Sequence, residues 1–111
     1  MLKGPISIDE LAERIVDICA GIEQHNDVWE VGSPGEWTFI LGPMSICGRV
    51  MGLYDEEYGW PSPVNIDQKF APSDLAPGHR SHPILMRGGR PVAIAIGKGE
   101  YEDILKKFPG Q

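Results

Sequence analysis

Cysteine is scarce in this sequence: only Cys19 and Cys47 occur among 111 residues. Two scattered thiols exclude a disulfide framework, so a hydrophobic core has to hold the fold. Both sit in apolar contexts (Asp-Ile-Cys-Ala and Ser-Ile-Cys-Gly) and read as small buried side chains. Long apolar runs are also missing. None approaches the roughly 20 residues that a membrane-spanning helix needs. The opening Met-Leu-Lys-Gly-Pro has no apolar signal core, which leads us to expect a cytoplasmic protein with no membrane contact. Basic residues are few in the first two-thirds of the chain. Residues 1–77 carry 4 Lys/Arg against 13 Asp/Glu, whereas residues 78–111 carry 6 against 3. An isoelectric point near 4.9 argues against non-specific nucleic-acid binding as the main role.

Catalytic signatures are lacking as well. Gly42, Gly48 and Gly52 do not open a helix, so they form no phosphate loop. Cys47, between Ile46 and Gly48, has no neighbour that would activate its thiol and reads as strand core. His79 and His82 lie three apart and, with Asp67 or Asp74, would supply nitrogen and oxygen ligands of the kind zinc accepts. That spacing suits a helical turn better than a loop closed by Pro83, so ordinary surface histidines are expected. No catalytic residue, metal or cofactor is assigned.

What the chain does contain is a core-forming composition. It is 41% hydrophobic and 23% charged, too apolar for disorder and the right length for one domain over residues 1–111. Ser7-Ile-Asp-Glu10 fits a capping box, with Ile6 and Leu11 placed for a hydrophobic staple. Leu11, Ile15, Ile18 and Ile22 then recur at helical spacing, predicting one long helix that ends at Gly21 or at Gln24-His-Asn26. Asp9, Glu10 and Glu13 fall in its first turns, where the helix dipole favours anions. Strands are predicted over Val28–Val31, Glu36–Leu41 and Ile46–Tyr54, separated by the turn sequences Gly-Ser-Pro-Gly (32–35) and Gly-Pro-Met-Ser (42–45). Prolines 61, 63, 72, 77 and 83 keep residues 55–83 irregular, with a short strand through Val64 and Ile66 and one helical turn after Ser73. Pro83–Arg87 and Arg90–Ile96 flank Gly88-Gly89, a two-residue loop suited to a type I′ hairpin. A short helix follows over Gly99–Phe108. The fold class expected is α+β: an antiparallel sheet of four to six strands, a long N-terminal helix and a short C-terminal one.

The stretch Ile84-Leu-Met-Arg-Gly-Gly-Arg-Pro-Val-Ala-Ile-Ala-Ile-Gly-Lys-Gly-Glu-Tyr-Glu-Asp-Ile-Leu105 resembles the hairpin and helix of the Phd/YefM antitoxin family. Ile6-Ser-Ile-Asp-Glu-Leu-Ala-Glu-Arg14 is similar to that family's first strand and helix. The resemblance implies a dimerising, operator-binding antitoxin that blocks a toxin, with Arg87 and Arg90 as phosphate contacts.

The residues themselves favour a binding role over catalysis. An acidic N-terminal part would meet a basic protein partner, in the manner of an antitoxin, immunity protein or inhibitor. Asp55, Glu56 and Glu57 with Tyr54, Tyr58 and Trp60 form the candidate contact, because aromatics in a proline-rich loop are good interface anchors. Two other readings remain open. A DNA-binding regulator would use Arg80, Arg87, Arg90 and Lys98. A small-molecule site would lie between loop 61–83 and the turn Gly97-Lys98-Gly99, where a helix N-terminus can hold an anion.

Overall fold

The structure is a computed structural model that describes residues 2–32, 38–43, 62–76 and 82–107. The chain opens on a strand, β1 (Leu2–Ile6), before any helix. Ser7 then caps α1 (Ile8–Glu13), its Oγ accepting the Glu10 N–H at 3.0 Å. A second helix, α2 (Ile15–His25), ends at Asn26, whose left-handed backbone (φ 57°) closes the last turn with its N–H on Ile22 O. The single long helix expected is therefore two, with Arg14 outside helical geometry between them. The break is local. Arg14 N–H is shared by Glu10 O and Leu11 O, and Arg14 O accepts from Ile18 N.

Five more strands follow: β2 (Val28–Val31), β3 (Phe39–Pro43), β4 (Ser62–Asn65), β5 (Pro83–Arg87) and β6 (Arg90–Gly97). A 3₁₀ turn at Pro72–Leu75 separates β4 from β5, and α3 (Lys98–Lys107) comes last. The six strands form one sheet in the order β1-β2-β3-β6-β5-β4. The sheet is mixed, which corrects the antiparallel expectation: β1 pairs parallel with β2, and β4 parallel with β5. The four central strands, β2, β3, β6 and β5, pair antiparallel with one another. Parallel neighbours need a long crossover, and α1 with α2 supplies one between β1 and β2. β3 also runs through Gly42 and Pro43, which were expected to begin a turn. The strand expected over Ile46–Tyr54 and the turn at 32–35 beyond Gly32 lie outside the described residues.

Helices α1 and α2 lay Leu11, Ile15, Ile18, Cys19 and Ile22 on one sheet face, against Val31, Phe39, Leu41, Leu85, Ala93 and Ala95. The alternate residues Ile40, Ile94 and Ile96 point to the second face by the period of two along a strand, and they are buried too. The sheet is thus covered on both sides. The β5–β6 hairpin turns at Gly88 (φ 61°) and Gly89 (φ 78°), the positive pair a type I′ turn requires. Gly88 N–H donates to Asp67 Oδ2 at 2.7 Å, tying the hairpin to the segment after β4.

Gly4 sets the approach of β1 to β2. Its φ is +93°, and a Cβ there would lie 2.5 Å from the backbone oxygen of Glu30. Gly4→Ala should therefore displace β1 and cost about 1–3 kcal/mol. Hydrogen exchange checks this: protection should fall in β1 and persist in β3 and β6. Unchanged protection in β1 would refute the close approach.

Candidate interaction surface

Asp9, Glu13 and Asp17 stand four residues apart along α1 and α2, and all three are exposed. Asp9 and Glu13 share the outer side of α1, with Glu10 half-buried beside them, and Asp17 is exposed in the first turn of α2 just past the break at Arg14. The opposite side carries the apolar residues that reach the sheet, so burial of Leu11, Ile15 and Ile18 fixes which way the acids point. None of the three takes part in an ion pair among the described residues. Val16 is exposed along the same helix, adding an apolar contact next to Asp17.

Cations elsewhere are engaged within the chain. Lys3 Nζ lies 3.2 Å from Asp27 Oδ2 and 5.7 Å from the centre of the Trp29 ring. Arg14 stacks its guanidinium 5.6 Å from the same ring. Arg90 pairs with Glu23, and Lys98 Nζ reaches Glu30 Oε1 at 3.0 Å. Such exposed pairs contribute little stability, but they hold these side chains beside carboxylates and lower the local positive potential. Of the four residues expected to contact DNA, Arg90 and Lys98 are thus paired internally. Arg87 is half-buried and Arg80 lies outside the described residues. The turn Gly97-Lys98-Gly99 offers no free ammonium for an anion, because α3 begins at Lys98 and its side chain turns to Glu30 on β2.

The buried titratable groups argue against a nucleophilic site. Cys19 is fully buried, and desolvation pushes its thiol up to about 12, with Arg87 pulling it down and Glu23 pushing it further up. It is a free, neutral thiol at physiological pH, as its apolar context implied. His82 is only 3% exposed, which corrects the expectation of a surface histidine. It immediately precedes β5, a strand flanked by β4 and β6 inside the sheet. Of the carboxylates considered as its metal partners, Asp67 Oδ2 accepts from Gly88 N–H and Asp74 Oδ2 accepts the Ala71 N–H at 2.9 Å, and among the described residues no group of three His, Cys, Asp or Glu is placed to hold a metal. His79 and Cys47 lie outside the described residues, as do Tyr54, Asp55, Glu56, Glu57, Tyr58 and Trp60.

The two sheet edges offer little for a partner strand. Ile66 N donates to Met86 O, so Ser62, Val64 and Ile66 turn their backbone groups toward β5. Pro63 and Asn65 then face outward from β4. Pro63 has no N–H to offer, and Asn65 O already accepts from Gln68 N at 3.1 Å. At the other edge, β1 carries Pro5. Prolines in edge strands blunt pairing with another chain.

A cleft of about 560 Å³ opens beside β4, between Pro63–Asn65, Gln68–Phe70 and the 3₁₀ turn. Residues 61–83 were expected to share a pocket with Gly97-Lys98-Gly99, but none of those three lines this cleft. Sequence reasoning missed the acidic ridge because Asp9, Glu10 and Glu13 were accounted for by the helix dipole. The signal was available in the exposed acid at Asp17, which falls in the first turn of α2 only because the helix breaks at Arg14. No helix among the described residues is long and apolar enough to cross a membrane. Comparisons with protein-family models, curated proteins and solved structures give no match to this chain.

Proposed function

We propose that this chain is a stoichiometric binding protein of the antitoxin, immunity-protein or inhibitor type, whose acidic helical face docks a basic protein partner. The observation that carries this reading is the exposed row Asp9, Glu13 and Asp17, unpaired while four cations of the same chain are held elsewhere. The mutual repulsion of these acids costs a few tenths of a kcal/mol per neighbouring pair, which offsets much of what Asp9 and Asp17 gain at the helix N-termini. Such a row serves recognition better than folding: complementary charge steers encounter and fixes register. The segment Tyr54–Trp60, with Asp55, Glu56 and Glu57, extends the same acidic character and belongs to the proposal as a second contact.

The pairing of Arg90 and Lys98 favours this reading over a DNA-binding regulator, since a phosphate would have to displace Glu23 and Glu30. It also weakens the operator-contact part of the antitoxin resemblance while leaving the toxin-binding part intact.

Affinity capture with the intact chain from nuclease-treated extract, read by mass spectrometry, should yield one basic protein at fixed stoichiometry. The variant Asp9→Asn/Glu13→Gln/Asp17→Asn should bind it about tenfold more weakly or worse, mainly through slower association. A companion variant, Asp55→Asn/Glu56→Gln/Glu57→Gln, measures the contribution of the second segment. Full retention of binding by both variants together would refute the acidic-face reading.

A further inference from the structure

The cleft beside β4 holds one residue of each charge, Lys69 and Asp74, which do not pair with each other. Lys69 is exposed and makes no ion pair among the described residues. Asp74 spends one carboxylate oxygen, Oδ2, on the Ala71 N–H, and its other oxygen is left available. Val64, Phe70 and Pro83 supply an apolar wall, of which Val64 and Pro83 are buried and Phe70 half-buried. The volume, about 560 Å³, falls within the roughly 300–1,000 Å³ of small-molecule sites.

We propose that this cleft binds a small zwitterion with an apolar body, a free amino acid or a short peptide. A purely anionic ligand would find Lys69 but be repelled by Asp74, and a purely cationic one would meet the reverse. A neutral apolar ligand would strip water from both charges and return nothing to them. A zwitterion places a carboxylate at Lys69 and an ammonium at Asp74 while its side chain covers Phe70 and Val64. The charged hydrogen bonds so formed are the stronger kind. The site is separate from the acidic ridge on α1 and α2, so its existence does not depend on the protein-partner reading.

The test is an NMR titration of the full chain, following backbone amide shifts. The probes are L-leucine and L-phenylalanine as free amino acids, leucyl-leucine as the short peptide, and leucine blocked at one or both ends. Saturable millimolar shifts centred on Phe70 and Ser73 are expected with the zwitterions. Each singly blocked compound should bind about tenfold more weakly, equivalent to 1.4 kcal/mol. Tighter binding of the free amino acids than of leucyl-leucine assigns the first class, and the reverse order assigns the second. Asp74→Asn keeps an oxygen for the Ala71 N–H, so the turn is preserved while the charge is lost. It should weaken the zwitterions to the level of the amine-blocked compound, and Lys69→Met to that of the carboxyl-blocked one. The absence of saturable shifts with every zwitterion, or equal binding of blocked and unblocked leucine, would overturn the proposal.

Discussion

Replacing Phe39 by alanine should cost the fold about 3–5 kcal/mol, a large share of the ~5–15 kcal/mol by which a domain of this kind is stable. Among the described residues, Phe39 is the largest of the fully buried side chains. It stands at the start of β3 with Val31 on one flank and Gly97 on the other. Its ring points into the cluster formed by α1, α2 and the sheet, so the void would open where several elements meet. A neighbour on β3 cannot fill it, because Ile40 faces the other side of the sheet. Urea unfolding followed by circular dichroism should show the midpoint falling by on the order of 2 M at an unchanged slope. A loss below about 1 kcal/mol would mean that this side chain is not packed as described.

The parts of the fold that were legible in the sequence are those fixed by local chemistry. Ser7 and Glu10 announced the start of α1, and the hydroxyl makes that bond. Val28–Val31 forms a strand over its predicted span. Gly88-Gly89 specified a turn that needs two positive φ values, and the strands on either side pair accordingly. Each of these signals acts within a few residues.

What could not be read depends on partners distant in sequence. Leu-Lys-Gly-Pro-Ile has no alternation to mark a strand, because β1 is an exposed edge held by pairing with β2 more than twenty residues later. The short strand expected through Val64 and Ile66 is present as β4, at Ser62–Asn65, but nothing local specifies that it runs parallel to β5. With β1 missed and the partner of β4 unspecified, neither parallel pair could be read. Gly42-Pro43 reads as a turn by composition, yet the register with Ile94 and Ala93 keeps β3 extended through both residues. The same limit governs the sites. Acids spaced by four were present in the sequence, but which cations of the chain are already occupied is a tertiary fact. Lys98 illustrates it: a lysine ahead of a helix suggests an anion site until Glu30, from a strand 68 residues earlier, is found beside it.

The second large effect separates holding the acidic face in place from using it. Leu11 is wholly buried under α1, on the side opposite Asp9 and Glu13, and belongs to the cluster that joins the helices to the sheet. Leu11→Ala should destabilise the chain by about 2–5 kcal/mol, since a leucine enclosed on every side leaves a cavity its neighbours fill poorly. The surface charges are untouched, so under conditions where the variant is still folded its affinity for the basic partner should match that of the parent. The charge-removed variant of Asp9, Glu13 and Asp17 should behave the opposite way. Relief of like-charge repulsion and loss of the first-turn dipole contacts of Asp9 and Asp17 oppose each other, so its stability stays within about 1 kcal/mol of the parent while its affinity falls. Unfolding curves and binding measured on the same two proteins should therefore move independently. If Leu11→Ala weakened binding as much as charge removal does while remaining folded, the contact would depend on the shape of the helical face and not on its charge. If charge removal destabilised the chain by more than 1 kcal/mol, the three acids would be structural and the docking surface would have to be sought elsewhere.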